Sequence, residues 1–233
     1  MRHLFIFSII LGCSTANAFA QITKVTSEIL SAEQVKKFLD TVPETLNIKF
    51  PIIRIYKYED KRGRFYCVLT ESRDEISVEN DTMNYKIKAI NFKAENGSYT
   101  KIWEIDDNII KNDSDESSIW FWTKYCDFKD YDGDGLADPI IVYGTYGANG
   151  YDDGRIKIII YYKGQKIAIR HQNGVLDNER ETKVDNSFYN LPQSLQNSIK
   201  QKMDLMIKNN NAIFPYGWQA AMKNKKTSFS ERR

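Results

Sequence analysis

The stretch "RIKIIIYYKGQKIAIRHQ", residues 155–172, holds two runs rich in β-branched and aromatic residues on either side of Lys163-Gly164. Such residues favour strands, and a glycine-containing pair between two strand-like runs is typical of a tight turn. The stretch therefore predicts a β-hairpin. Runs of similar composition occur on both sides of it along the chain.

About eight such runs occur, separated by short turns such as Lys61-Arg62-Gly63 and Glu95-Asn96-Gly97. Besides the two above they are residues 48–58, 64–72, 84–94, 99–105, 118–128 and 139–146. No helical pattern lies between them, and strands at this spacing are typical of an antiparallel meander rather than a parallel α/β sheet.

A short helix is predicted before the strands, at SAEQVKKFLDTV. Val35, Phe38 and Leu39 fall on one helical face, and Ser31 with Gln34 forms a capping-box pattern.

Helical spacing returns near the C-terminus, where a helix is predicted over residues 192–208 and a second short one over 217–224. We find no linker and no internal repeat. The predicted fold class is mainly β (α+β): an antiparallel β meander with a short N-terminal helix and one or two C-terminal helices. Residues 21–233 are predicted to form a single domain.

A secretory signal peptide is predicted over residues 1–20. Arg2 precedes an apolar run that is too short to cross a bilayer as a helix, and small residues follow up to Ala20. An alternative interpretation makes Cys13, in the sequence ILGC, a lipidated N-terminus. We therefore expect an exported protein without a transmembrane segment after signal removal, periplasmic or, with a lipid on Cys13, associated with the outer membrane.

The charge balance gives no sign of nucleic-acid binding. The chain carries 33 basic and 31 acidic residues, a net charge of +2, and losing Arg2 with the signal leaves +1. Basic and acidic residues alternate except at residues 223–226, where a solvated tail is the simpler interpretation, so no nucleic-acid partner is expected.

Two cysteines, Cys67 and Cys126, remain after the signal is removed. Export to an oxidising compartment would permit a disulfide between them, whereas their position within strand-like runs is equally typical of buried free thiols. Both alternatives stay open at this point.

The most informative motif is DYDGDGLAD, residues 130–138, with aspartates at spacings of two, two and four. Calcium takes six to eight oxygen ligands, and alternate carboxylates in a tightly curved loop can converge on one such ion. The predicted ligands are Asp130, Asp132, Asp134, the main-chain carbonyl of Leu136, and Asp138, and the predicted cofactor is Ca²⁺.

The motif fits the first nine positions of an EF-hand loop, but Ile141 stands where that loop has its bidentate glutamate. Strand-like flanks make it resemble the D-x-D-x-D-G-x-x-D loops of FG-GAP repeats in integrin-like propellers. The motif occurs once, so the loop and not the propeller is carried over. The alternative is an open acidic turn, although two carboxylates ~4 Å apart repel by roughly 4 kcal/mol at an effective dielectric near 20.

Other candidate sites are weaker. His171 is the only histidine after the signal, and no nucleophile motif accompanies it, so it is interpreted as a polar residue at a strand end. The glycine-rich loop at residues 144–154 lacks the lysine and serine or threonine of a P-loop. In that loop Asp152 and Asp153 are interpreted as a turn rather than as further metal ligands. No catalytic residue is assigned.

Four aromatic residues, Trp103, Trp120, Phe121 and Trp122, offer a sugar-stacking platform as an alternative to core packing. Aromatic side chains on both faces of one strand are more typical of a core, and that is the interpretation adopted here.

From Asp130 to the sequence NNNAIFPYGWQAAM, the chain resembles a family of exported bacterial proteins labelled as surface-polysaccharide biosynthesis proteins. The resemblance rests on DYDGDGLADPIIVYGTYGANGYDDGRIKIIIYYKGQKIAIRHQNGVLDNERETKVDNSFYNLP and covers roughly the C-terminal half. It implies export and an envelope role, and it supplies no catalytic motif.

Three functions follow as hypotheses, the third being a purely structural envelope component that the sequence does not separate from the first. The first is a calcium-stabilised, non-enzymatic envelope protein that binds an envelope protein or glycan, one version being a periplasmic immunity protein against a delivered toxin. The alternative is an envelope enzyme of surface polysaccharide metabolism that uses acidic residues.

Overall fold

The computed structural model describes residues 24–42, 46–77, 80–109 and 116–231 and consists mainly of antiparallel β-sheet. The predicted signal peptide and Cys13 lie outside the described residues. The described strands of the first half are β1 (Thr26–Ile29), β2 (Ile52–Asp60), β3 (Gly63–Glu71), β4 (Glu75–Ile76), β5 (Thr82–Met83), β6 (Lys86–Glu95) and β7 (Ser98–Asn108).

Those of the second half are β8 (Ser118–Phe121), β9 (Asp127–Lys129), β10 (Asp138–Tyr146), β11 (Arg155–Tyr162), β12 (Gln165–Gln172), β13 (Glu181–Val184) and β14 (Ser228–Ser230). The helices are α1 (Ala32–Thr41), α2 (Gln193–Lys208) and α3 (Trp218–Lys223).

The strands form two large sheets, each confined to one half of the chain. The first has the order β1-β2-β3-β6-β7, and the second has the order β14-β13-β12-β11-β10-β8, with β9 also paired to β10. β4 and β5 form a separate small hairpin. Because neighbours in each sheet are mostly consecutive and antiparallel, the predicted meander is confirmed, but it is divided between two sheets.

Two-residue turns set the register of the main hairpins. Asn96 and Gly97 have φ of 51° and 76°, and Lys163 and Gly164 have φ of 48° and 81°. Positive φ at both central positions matches the twist of antiparallel strands, which is why glycine occupies the second position in each turn. These two predicted turns are therefore confirmed.

The two sheets pack face to face, and helices cover their outer faces. A core cluster between the sheets includes Phe65 and Leu69 of the first sheet and Ile141 and Ile159 of the second. A second cluster joins the other face of the second sheet to α2 and α3, and a third joins the first sheet to Phe38 of α1. The layers are thus α1, first sheet, second sheet, and α2 with α3.

This layering explains the continuous apolar runs of the central strands. Successive side chains of a strand point to opposite faces, and in β11 Ile158 and Ile160 contact the helices while Ile159 and Tyr161 contact the first sheet. A strand buried on both faces has no polar alternation, as the opening hairpin sequence shows.

The three predicted helices are present, with one difference in detail. Ser31 and Gln34 form the capping box at α1, and Phe38 is buried. Leu39, predicted on the same face, is 46% exposed, because Phe38 and Val35 are the helix residues that pack against the first sheet.

The predicted strand over residues 118–128 is wrong as a single element. The structure divides it into β8 and β9, joined by a turn in which the Tyr125 amide donates to the Trp122 carbonyl at 2.8 Å. Both pieces pair with β10, so the run bends to place its two ends along one partner strand.

Candidate metal centre

The aspartate motif forms the loop between β9 and β10, which are paired antiparallel with Lys129 opposite Asp138. Gly133 and Gly135 both have φ of 79°, a conformation that side chains with a Cβ seldom adopt. The two glycines therefore let the chain curve tightly enough to turn alternate carboxylates inward.

Three of the predicted ligands converge in this loop. Carboxylate oxygens of Asp130, Asp132 and Asp138 all lie within 4.8 Å of one another, and this is the only such acidic, histidine or cysteine group found among the described residues. Asp138 is 1% exposed. Carboxylate oxygens at this spacing are the ligands that a hard cation prefers, so the group could hold a metal ion.

Backbone amides hold the carboxylates in place. Asp130 accepts hydrogen bonds from the amides of Gly133 at 2.7 Å and Gly135 at 2.8 Å. Asp138 accepts one from the Tyr131 amide at 3.0 Å. Each carboxylate offers about four lone-pair positions, so these bonds leave oxygens available for an ion.

The electrostatics of the group favour a cation. Burial, followed by repulsion from Asp132, Asp134 and Asp130, raises the pKa of Asp138 to about 7. A carboxyl group resists ionisation in this way when it is buried close to other carboxylates. A divalent ion would offset that repulsion.

Asp134 does not belong to the converging group. Its carboxylate pairs with the Lys163 ammonium at 3.0 Å and accepts a hydrogen bond from the Leu136 amide at 2.9 Å. Lys163 also lies 3.8 Å from Asp132, which accepts a hydrogen bond from the Tyr162 hydroxyl at 2.8 Å. Ligation by Asp134 and by the Leu136 carbonyl stays a prediction.

The β2–β3 hairpin of the first sheet supports the loop from outside. Asp60, fully buried at the end of β2, accepts a hydrogen bond from the Ala137 amide at 3.1 Å, and the Lys61 amide donates to the Gly135 carbonyl at 3.2 Å. The Lys61 ammonium also donates to the Asp134 carbonyl. The loop therefore lies where the two sheets meet, a contact that has no local signal in the sequence.

The other candidate residues have structural surroundings. His171 is 3% exposed and bonded through both ring nitrogens, and Asp153 accepts hydrogen bonds from Asn149 at 2.8 and 3.0 Å. Cys67 and Cys126 are free thiols, and burial raises the pKa of Cys126 to about 12. That environment is typical of unreactive thiols.

The four aromatic residues of the alternative sugar platform do not share one surface. Trp103 stacks on Tyr161 with ring centroids 3.9 Å apart, whereas Phe121 and Trp122 are buried in the core. Trp120 is half-buried and lies beside Tyr146 and Tyr151 instead.

Comparison with family models, with curated proteins and with solved structures finds no match to this chain. The resemblance to exported envelope proteins therefore stays a prediction. Among the helices in the described part of the chain, none combines the length and apolar character needed to span a bilayer.

Proposed function

We propose that this protein is an exported, calcium-stabilised, non-enzymatic envelope protein that binds a macromolecular partner. The observation that carries the calcium part is the convergence of Asp130, Asp132 and Asp138 within 4.8 Å in a loop that contacts both sheets. Calcium suits this loop better than magnesium, because magnesium keeps several waters and uses few protein oxygens.

The ion has a structural role in this proposal. It offsets the repulsion among the three carboxylates and holds the β9–β10 loop in the conformation that the β2–β3 hairpin contacts. Because the glutamate of an EF-hand is replaced by Ile141, we expect an affinity in the range of extracellular calcium modules, roughly 10⁻⁴–10⁻³ M.

Export is supported by the signal sequence predicted over residues 1–20. The partner-binding part is supported by an open cleft of about 520 Å³ beside β8, lined by aromatic and polar side chains.

The first test is a calcium titration of the mature chain followed by thermal unfolding. We expect calcium at a hundredfold excess over its Kd to raise the free energy of unfolding by about 2.7 kcal/mol, and magnesium at the same concentration to raise it less. The variant Asp138→Asn should lose this response. In metal-free buffer at pH 8 it should be no less stable than the native chain, because a neutral amide replaces a carboxylate whose ionised form is disfavoured there.

The control is Asp152→Asn, a change of the same chemistry at an exposed residue outside the group. It should keep the native response. A native chain that ignores calcium, or an Asp138→Asn chain that responds as the native chain does, would contradict the metal site.

A further inference from the structure

A cleft lies between the β4–β5 hairpin and the strands β8 and β10, away from the aspartate loop. Its volume is about 520 Å³, within the usual range for small-ligand sites. One wall is aromatic and the other is mainly polar, and β8 contributes a residue to each. The aromatic residues are Trp120, Tyr146 and Tyr151, and the polar ones are Glu71, Ser77, Asp81, Thr82, Asn84 and Ser118.

The three aromatic rings form one continuous wall. The centroid of Tyr146 lies 4.3 Å from that of Trp120 and 4.5 Å from that of Tyr151, with interplanar angles of 63° and 66°. An ammonium group held between two aromatic rings needs a contact of roughly 3.5–4.0 Å to each ring, so the rings must be separated by the sum of the two. The three rings here are closer together than that, so no cation fits between them. The wall instead suits an apolar ligand face.

The polar wall is held rigidly by hydrogen bonds. Glu71 accepts from the Phe121 amide at 2.9 Å and from the Asn84 side-chain amide at 3.2 Å, and the Asn84 backbone amide donates to the Ser118 hydroxyl at 2.9 Å. A carboxylate has about four lone-pair positions and an amide NH₂ has two protons. Glu71 and Asn84 therefore keep acceptor and donor capacity for a ligand.

The charge of the cleft disfavours anions. Among the described residues that line it, none is lysine or arginine, whereas Glu71 and Asp81 are acidic. A phosphate or carboxylate ligand would meet repulsion from these two carboxylates, and no basic side chain among the described lining residues offsets it.

A sugar ring meets both requirements, because its C–H groups form an apolar face and its hydroxyl groups form a polar edge. We propose that this cleft binds a neutral saccharide unit of a glycan, with the ring against Trp120 and its hydroxyl groups hydrogen-bonded to Glu71 and Asn84. The inference rests on the proposed partner-binding role and names the ligand class for it.

The test uses saturation-transfer NMR on the mature chain in millimolar calcium. The probes are maltotriose, cellotriose, tri-N-acetylchitotriose and the methyl glycosides of mannose, galactose and rhamnose. We expect at least one probe to bind, and Trp120→Ala to weaken that binding at least about tenfold, as removal of a central aromatic anchor usually does.

Two further variants separate binding from folding. Thr82→Trp places a bulky side chain at an exposed position in the cleft and should abolish binding while leaving the melting temperature nearly unchanged. Trp103→Phe lies outside the cleft and should keep native affinity. Absence of binding by every probe, or binding that survives Thr82→Trp, would overturn the inference.

The calcium response of the same samples distinguishes this inference from the metal site. A calcium-dependent melting temperature without saccharide binding would contradict the cleft proposal alone. Saccharide binding without a calcium response would contradict the metal site and support the cleft proposal.

Discussion

His171 is a buried imidazole whose two ring nitrogens both have partners. Nε2 lies 2.7 Å from the side-chain amide oxygen of Asn173, and Nδ1 lies 2.9 Å from the Thr182 hydroxyl. Burial lowers the pKa of His171 to about 4, against an ordinary value near 6.5. The sequence placed this residue correctly near a strand end, but its burial depends on residues that are distant along the chain.

The lowered pKa of His171 predicts acid sensitivity. As pH falls from about 6.5 to 4, the unfolded chain takes up a proton at this residue before the folded chain does, so stability falls across that window. The loss in free energy of unfolding due to His171 approaches about 3 kcal/mol near pH 4, because each unit of pKa difference corresponds to 1.36 kcal/mol. Urea unfolding of native and His171→Gln chains at pH 7.5 and 4.5 checks this.

The comparison isolates His171, because Asp138 and every other titrating group contribute equally to both chains. The native chain should lose more stability on acidification than the variant. Equal losses would show that His171 keeps an ordinary pKa in the folded protein.

At the scale of elements, the β2–β3 hairpin determines how the aspartate loop is held. Asp60 accepts hydrogen bonds from the Ala137 amide at 3.1 Å and the Arg62 amide at 2.7 Å, and it pairs with the Arg62 guanidinium. The Arg62 side chain is 43% exposed and can recover water contacts, whereas Ala137 is 3% exposed and its amide would be left without a partner.

We therefore expect Asp60→Ala to lower the free energy of unfolding by about 1–3 kcal/mol, the usual cost of leaving a buried donor without its partner. Calcium affinity should fall with it, although Asp60 is not a proposed ligand. Calorimetric titration and chemical unfolding measure the two effects. Glu59→Ala, the same truncation one residue earlier in β2, serves as control and should leave calcium affinity unchanged.

Elements with a clear local pattern were predictable, and elements defined by partners were not. β11 and β12 follow from runs of β-branched and aromatic residues on either side of a glycine turn, and α2 follows from the helical spacing of its apolar residues. The turn at residues 122–125 has neither glycine nor proline, so the bend between β8 and β9 left no mark in the sequence. β13 and β14 are short strands at one edge, and they exist because neighbouring strands supply their hydrogen bonds.

At the scale of the whole molecule, the packing of the two sheets is the main cohesive contact. Ile141 is fully buried between them, opposite Ile159 in the neighbouring strand. Removing its side chain beyond Cβ leaves a cavity that the surrounding sheets can only partly close.

Ile141→Ala should lower the free energy of unfolding by about 2–5 kcal/mol. The matched control Ile102→Ala, at a position 49% exposed, should change it by less than about 0.5 kcal/mol. Native-state hydrogen exchange gives the second readout, because amides of β3 and β11 should lose protection by the same free energy when the sheets unfold together. A loss confined to β11 would show that the sheets unfold independently.

The spacing of the aspartates in the motif predicted the candidate site only in part. Alternation within the motif predicted Asp130, Asp132, Asp134 and Asp138 alike, and three of these four carboxylates converge in the structure. The pairing of Asp134 with Lys163 depends on the β11–β12 turn, and the support from Asp60 depends on the other sheet. Neither contact has a signature within the motif itself.

The order of the sheets along the chain bears on how the protein is made. Every described strand of the first sheet precedes residue 109, and every described strand of the second follows residue 117. A ribosome delivers the N-terminal half first, so the first sheet is complete while its apolar face, with Phe65 and Leu69, has nothing to cover it. Such a half-made sandwich is prone to aggregate. The need for a chaperone should therefore be greatest in the interval between completion of β7 and arrival of β10 and β11.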